Sequence, residues 1–170
     1  MIHLNHIMNR KLQHFIAGLL LLLQACASVN IASNKQEGYT KKPRKIYIVT
    51  YCSKESMEYG SSITKGITAD FIKRGIETEY YIKTPLSLDT EADINQKIVD
   101  FKPEAVLYLR QTVSGWSKGA YEISLFDTEL RKNVWKSEIN TSHDEYTSEM
   151  DVSDKTVKIV ADKLLADKLL

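Results

Sequence analysis

Cys52 and His143 are the side chains with the chemistry for covalent catalysis, a thiolate nucleophile and an imidazole base. Cys52 is the only cysteine beyond Cys26, and His143 the only histidine beyond residue 14. That inventory cannot supply the several Cys and His ligands of a zinc site, nor a Cys-x-x-Cys redox pair, so no metal and no cofactor is expected. The stretch Cys52-Ser53-Lys54-Glu55-Ser56-Met57-Glu58 has the length of a Cys-x5-Arg phosphate loop. Glu58 stands where the arginine must be, and a phosphate would meet a carboxylate instead of a guanidinium fork. A Cys52–His143 dyad requires the polar segment around His143 to fold over a strand end, against the alternative of an idle, packed thiol. Gly60-Ser61-Ser62 is expected to cap a helix. It lacks the glycine spacing and lysine of a phosphate-binding loop. Enzymatic activity is therefore not expected.

The amino terminus carries a different chemistry. Arg10 and Lys11 precede an apolar run from Phe15 to Leu23, the layout of a secretory signal, and one too short to span a bilayer. Leu23-Gln24-Ala25-Cys26 then resembles the lipobox of bacterial lipoproteins, with Gln24 departing from the usual small or aliphatic residue. The resemblance implies cleavage before Cys26, acylation of its sulfur, and anchoring to the lipid bilayer by two or three acyl chains, enough for stable attachment. Ala25-Cys26-Ala27 also reads as an ordinary A-x-A cleavage site that would release a soluble chain from Ser28. Ala27 is not the aspartate that retains many lipoproteins at the inner membrane, which favours an outer-membrane location facing the periplasm. Translation from Met8 would give a more compact basic region.

The 170 residues carry 23 Lys+Arg against 22 Asp+Glu and are 43% hydrophobic, a globular composition. Removal of residues 1–25 leaves 21 basic and 22 acidic residues in 145, a net charge of −1. Nucleic-acid binding lacks its electrostatic footprint. One core is expected.

The elements that must position Cys52 and its neighbours follow from hydropathy patterning. Residues 26–44 are mostly polar and read as the lipidated cysteine and a flexible tether, with an end-to-end distance of roughly 20–25 Å. Its basic end, Lys41, Lys42, Arg44 and Lys45, is either a solvated linker end or a contact with anionic lipid. From 45 to 170 a single α/β domain is expected. Lys45–Tyr51 and Ala105–Arg110 are apolar on both parities, as central strands are. Ile63, Ile67 and Phe71 form a helical stripe stopped by Gly75. Glu77–Ile82 reads as an edge strand. Thr90-Glu91-Ala92-Asp93 is a capping box for a second helix that ends at Lys102-Pro103. Tyr121, Ile123 and Leu125, then Trp135, Ser137 and Ile139, alternate with polar residues as an amphipathic hairpin. Val157, Val160, Ala161 and Leu164 mark a closing helix. Two right-handed crossovers then give a βαβαββα order and a mixed five-stranded sheet, strand order 2-1-3-4-5, with helices on both faces or a two-layer variant.

This order, the phrase Phe101-Lys102-Pro103-Glu104-Ala105-Val106-Leu107-Tyr108-Leu109, and Ile123-Ser124-Leu125-Phe126-Asp127 turning to Val134-Trp135-Lys136 resemble a group of small envelope lipoproteins. That group includes the penicillin-binding-protein activators and TolB amino-terminal-like domains. The resemblance implies a non-enzymatic accessory role through an envelope protein partner and transfers no functional residue. The binding surface is sought where the first and third strands diverge, at their carboxyl ends. The loops there hold Met57, Tyr59, Gln111, Trp116 and Lys118. Trp116, flanked by Ser114, Gly115, Ser117 and Gly119, is either an exposed anchor for a partner or a lid over the sheet end. A small molecule or glycan in the same crevice is the alternative to a protein partner.

Overall fold

The computed structural model describes residues 28–115, 118–142 and 147–170. Three strands run parallel: β2 (Lys45–Tyr51), β3 (Glu77–Lys83) and β4 (Ala105–Val113). Each of the two crossovers between them carries a helix, α1 (Met57–Lys73) and α2 (Glu91–Phe101). β5 (Lys118–Asp127) and β6 (Lys132–Ser142) continue the sheet as an antiparallel hairpin, and α3 (Glu149–Ala166) closes the chain.

With an edge strand β1 (Ser28–Lys35) the sheet has six strands, in the order β1-β6-β5-β4-β2-β3. The expected five-strand order 2-1-3-4-5 omits β1, which pairs antiparallel with β6 from Ser28↔Ser142 to Lys35↔Trp135. Residues 28–35 are therefore not tether. Their inward face holds only Val29 and Ile31 as apolar groups. Ser33 and Lys35 complete it by donating to the Asp167 carboxylate and carbonyl, each at 2.7 Å. Two polar side chains satisfied by a distant residue hide the strand's alternation from any local reading.

Residues 36–44 cross the opposite end of the sheet. Tyr39 is buried there and donates to Asp127 at 2.8 Å, while Lys41 reaches Glu129 at 3.1 Å and Lys42 the carbonyl of Leu170 at 2.7 Å. The basic cluster thus closes onto the protein. Asp127 also accepts from the amides of Glu129 and Leu130. Burial opposes its ionisation, but the Leu130 amide, the Tyr39 hydroxyl and Lys41 outweigh it and hold the carboxyl below its ordinary value.

The sheet's two faces differ. Ile46, Ile48, Leu107, Leu109, Ile123, Leu125 and Trp135 pack on one face under α1 and α3, through Ile63, Ile67, Phe71, Val160 and Leu164. The other face buries Tyr47, Val49 and Val106 under α2, through Ile94, Ile98 and Phe101. Alternate residues of β2 feed the two cores, which is why that strand is apolar at both parities. Full burial of such a side chain contributes about 1.5–3 kcal/mol. The Thr90–Asp93 capping box is formed at α2, and Lys102 ends that helix at φ 54°.

α1 starts earlier than its Ser61-Ser62 sequence suggests. Its N-cap is Ser56, and Ser61 and Ser62 lie inside the helix. Tyr59 stands four residues before Ile63 and extends the stripe by one turn. Gly60 lets α1 approach Cys52 closely, since a Cβ would lie 3.1 Å from both the Cβ and the Sγ of Cys52, a tight contact that side chain would have to relieve. The amides of residues 60–62 are thus spent within the helix and do not form an anion-binding terminus.

Candidate functional site

All three helices begin, and all three parallel strands end, at one end of the sheet. There the loop after β2 must reach α1 while the β4–β5 hairpin folds back. Gln111 fastens the two: its Oε1 accepts from the Ser53 amide at 2.8 Å, and its Nε2 donates to the Ser56 hydroxyl at 2.7 Å. Beside this clamp, α1 is tied to α3 by the Tyr59 and Thr156 hydroxyls, 2.8 Å apart, and Tyr59 lies tilted over Tyr121 with ring centroids 5.8 Å apart.

Between the clamp and the two helices is a cavity of about 410 Å³. Its walls are Ser56, the N-cap of α1, Tyr59 of α1, Gln111 of β4, Ser114 and Gly115 just after β4, Gly119 and Tyr121 of β5, Thr141 of β6, and Glu149 and Val152 of α3, with Glu55 at the rim. Among the described residues of the hairpin end, Ser114, Gly115 and Gly119 are small and bound the space. Tyr121 is buried, and its hydroxyl has no hydrogen-bond partner among the described residues. Burial, then the neighbouring Cys52 and Tyr59, raises its pKa. A buried polar group without a partner is costly, and this hydroxyl lies inside the wall, 3.4 Å from where a Gly60 Cβ would stand and beside Cys52. Glu55 is held below its ordinary value by its own amide and the Ser53 hydroxyl. Among the described lining residues Glu55 and Glu149 carry charge, and no described cation lines the cavity.

Cys52 lies behind this wall. It is buried against Gly60, and burial pushes its thiol pKa up, which suppresses the nucleophilic thiolate. On its other side a shallower groove of about 550 Å³ runs along Tyr51, Cys52, Ser53, Lys83 and Arg110. Its polar groups are matched internally. Glu91 accepts from Lys83 at 2.7 Å and from Tyr51 at 2.9 Å, and the Arg110 guanidinium lies 4.4 Å over the Tyr51 ring. Burial and the Glu91 bond push the Tyr51 hydroxyl up to about 12. Among the described residues no group of three or more His, Cys, Asp or Glu side chains is placed to hold a metal.

The five candidate surface residues separate into different roles. Met57 is half-exposed as the first residue of α1, and Lys118 is exposed at the start of β5, opposite Ser142. Tyr59 and Gln111 do line the cavity, but each is engaged in holding the framework. Trp116, like His143 and Cys26, lies outside the described residues. Sequence reasoning missed Tyr121, Thr141, Glu149 and Val152. Tyr121 reads locally as one more inward residue of an alternating strand, and nothing local says that it ends the core beside a void. The glycines and serines at 114–119 were the available signal, since small residues at a hairpin end leave room.

No family model matches the chain, and no curated protein matches it. Among solved structures, the chain is similar in fold to a PelC dodecamer from Paraburkholderia phytofirmans, with a TM-score of 0.58 and 11% identity over 79% of this chain and 96% of that one. A variant of the same protein in another crystal form gives a TM-score of 0.56 at 11% identity over the same shares. A DUF330 protein from Xanthomonas campestris covers 82% of this chain and 91% of its own at 4% identity, with a TM-score of 0.42. At these identities the PelC likeness is one of fold, and neither function nor oligomeric state passes to this chain with it.

Proposed function

We propose that this protein is a lipid-anchored, non-enzymatic binding domain of a bacterial envelope, attached through acylated Cys26 to the outer membrane and facing the periplasm. Its binding site in this reading is the cavity at the ends of β2 and β4, and its ligand is a small neutral or cationic molecule with an apolar body. The observation that carries the reading is the 410 Å³ cavity walled by Tyr59, Gln111, Tyr121, Thr141 and Val152. Such a space, apolar with a few convergent polar groups, is the usual form of a small-molecule site. The buried thiol of Cys52 supports binding over turnover. An accessory role beside an envelope protein partner is compatible with this site, because the ligand can be part of that partner.

Native mass spectrometry of the protein purified from bacterial membranes tests the reading. A co-purifying mass is expected with wild type and is expected to be lost in Ser114→Trp, which fills the cavity from its rim. A wild-type protein that carries only its acyl chains, and shows no melting shift with an organic extract of the envelope, would refute it.

A further inference from the structure

We propose that the cavity-bearing end of the domain is seated directly on the membrane, against the lipid headgroups. This rests on the reading of Cys26 as the acylated residue. The described chain begins at Ser28, already hydrogen-bonded into the sheet opposite Ser142, which in turn lies opposite Lys118. These three strand ends stand side by side at about 4.8 Å spacing. Only Cys26 and Ala27 separate the acyl chains from them, a span of at most about 7 Å. The stand-off of a flexible tether is therefore absent, and the end of the sheet that carries Ser28 is held at the leaflet.

That end also carries the cavity. Gly119 and Thr141, which line it, form the next row of the same ladder, and Thr141 faces Val29. On the same end of the sheet, apolar side chains project into solvent: Met57 at the start of α1, Val113 at the end of β4 and Met150 at the start of α3, and, past the far edge strand β3, Leu86 and Leu88. Val113 is 50%, Met150 69% and Leu88 99% exposed. Side chains of this kind gain by burial at the headgroup and acyl boundary. Charge does not help, since Glu55, Glu58, Glu149 and Asp151 outnumber Lys54 and Lys118 on this end, so the apolar side chains must carry the seating. The cavity's ligand is then drawn from the leaflet itself.

The test uses the full acylated protein in vesicles of phosphatidylethanolamine and phosphatidylglycerol containing a lipid-borne nitroxide quencher. An environment-sensitive fluorophore is attached at Val113→Cys, Met150→Cys or, at the far end of the sheet, Leu130→Cys, each in a Cys52→Ala background. Quenching at 113 and 150 is expected to exceed that at 130 at least threefold. An eight-residue Gly/Ser insertion between Ala27 and Ser28 is expected to reduce the quenching at 113 and 150. Equal, weak quenching at all three positions in protein whose Cys26 carries acyl mass would overturn the seating and leave the anchor standing. Protection of 113 and 150 in cells but not in vesicles would assign the surface to a protein partner and likewise overturn it. Absence of acyl mass on wild-type Cys26 would overturn the anchor and the seating together.

Discussion

Asp167 is the residue through which the edge strand, its neighbour and the last helix are joined, and replacing it gives the sharpest test of this architecture. One carboxylate oxygen accepts from the Ser33 hydroxyl of β1 and from the Trp135 indole N–H of β6, both at 2.7 Å. The other accepts from Lys163 of α3 at 3.0 Å. Trp135 is 1% exposed, so Asp167→Ala leaves a buried N–H with no acceptor. The loss of the Ser33 and Trp135 bonds to a charged acceptor, the second stranding its donor, is expected to cost about 2–4 kcal/mol, and the partly exposed Lys163 pair adds little to it. For a domain of this size that lowers the melting temperature by roughly 6–12 °C. Ser33→Ala removes one bond and is expected to cost about 1 kcal/mol. Thermal and urea unfolding followed by far-ultraviolet circular dichroism measure both. The wild-type pH dependence gives an independent reading. Burial disfavours the ionised carboxylate, but the Ser33, Trp135 and Lys163 bonds outweigh it and hold Asp167 below its ordinary value. A depressed carboxyl contributes stability that is complete above the unfolded pKa of about 3.9 and is lost as pH falls through the lower folded value. The stability of Asp167→Ala should accordingly fall less steeply than that of wild type below about pH 4. A melting temperature within about 2 °C of wild type, with an unchanged acid limb, would show that β1 is not held as described.

Three further outcomes follow from the packing. Gly66 faces α3 so closely that an added Cβ would lie 2.5 Å from a methyl of Val157. Gly66→Ala should therefore destabilise by about 1–3 kcal/mol despite its better helix propensity, and Val157→Ala in the same chain should recover part of that in a double-mutant cycle. The Cys52 thiol, buried and raised in pKa, should react with a maleimide at pH 7 only on unfolding; stoichiometric labelling of the native protein would contradict its packing. Tyr39→Phe removes a hydroxyl that donates to the buried Asp127 carboxylate at 2.8 Å and should cost about 1.5–3 kcal/mol in urea unfolding. A loss below about 0.5 kcal/mol would mean that residues 36–44 do not close the sheet end.

The fold class was legible because both of its periodicities are local. β2 and β4 are apolar on both parities, the β5–β6 hairpin alternates, and the helical stripes run at i, i+4, so burial demands the same layering wherever the chain closes. The Thr90 capping box, the Gly75 stop and the Lys102-Pro103 terminator were readable for the same reason. β1 was not. Its inward Ser33 and Lys35 become acceptable in a sheet only when Asp167, over 130 residues away, accepts from one through its carboxylate and from the other through its carbonyl. The start of α1 was misplaced because Ser61-Ser62 makes a good cap in isolation. Packing of Tyr59 against Tyr121, and of Gly60 against Cys52, instead favours one more turn.

The site divides the same way. Sequence alone marked the end of the sheet where the cavity lies, because that end follows from strand direction, and it named Tyr59 and Gln111 there. The cavity itself belongs to the tertiary structure. Tyr121, Thr141, Glu149 and Val152 come from β5, β6 and α3, and their convergence depends on how far the hairpin twists and where α3 crosses α1. Local hydropathy records which residues leave water but carries no term for the space left between elements after they pack. That is why the elements could be read from the residues while the void between them could not.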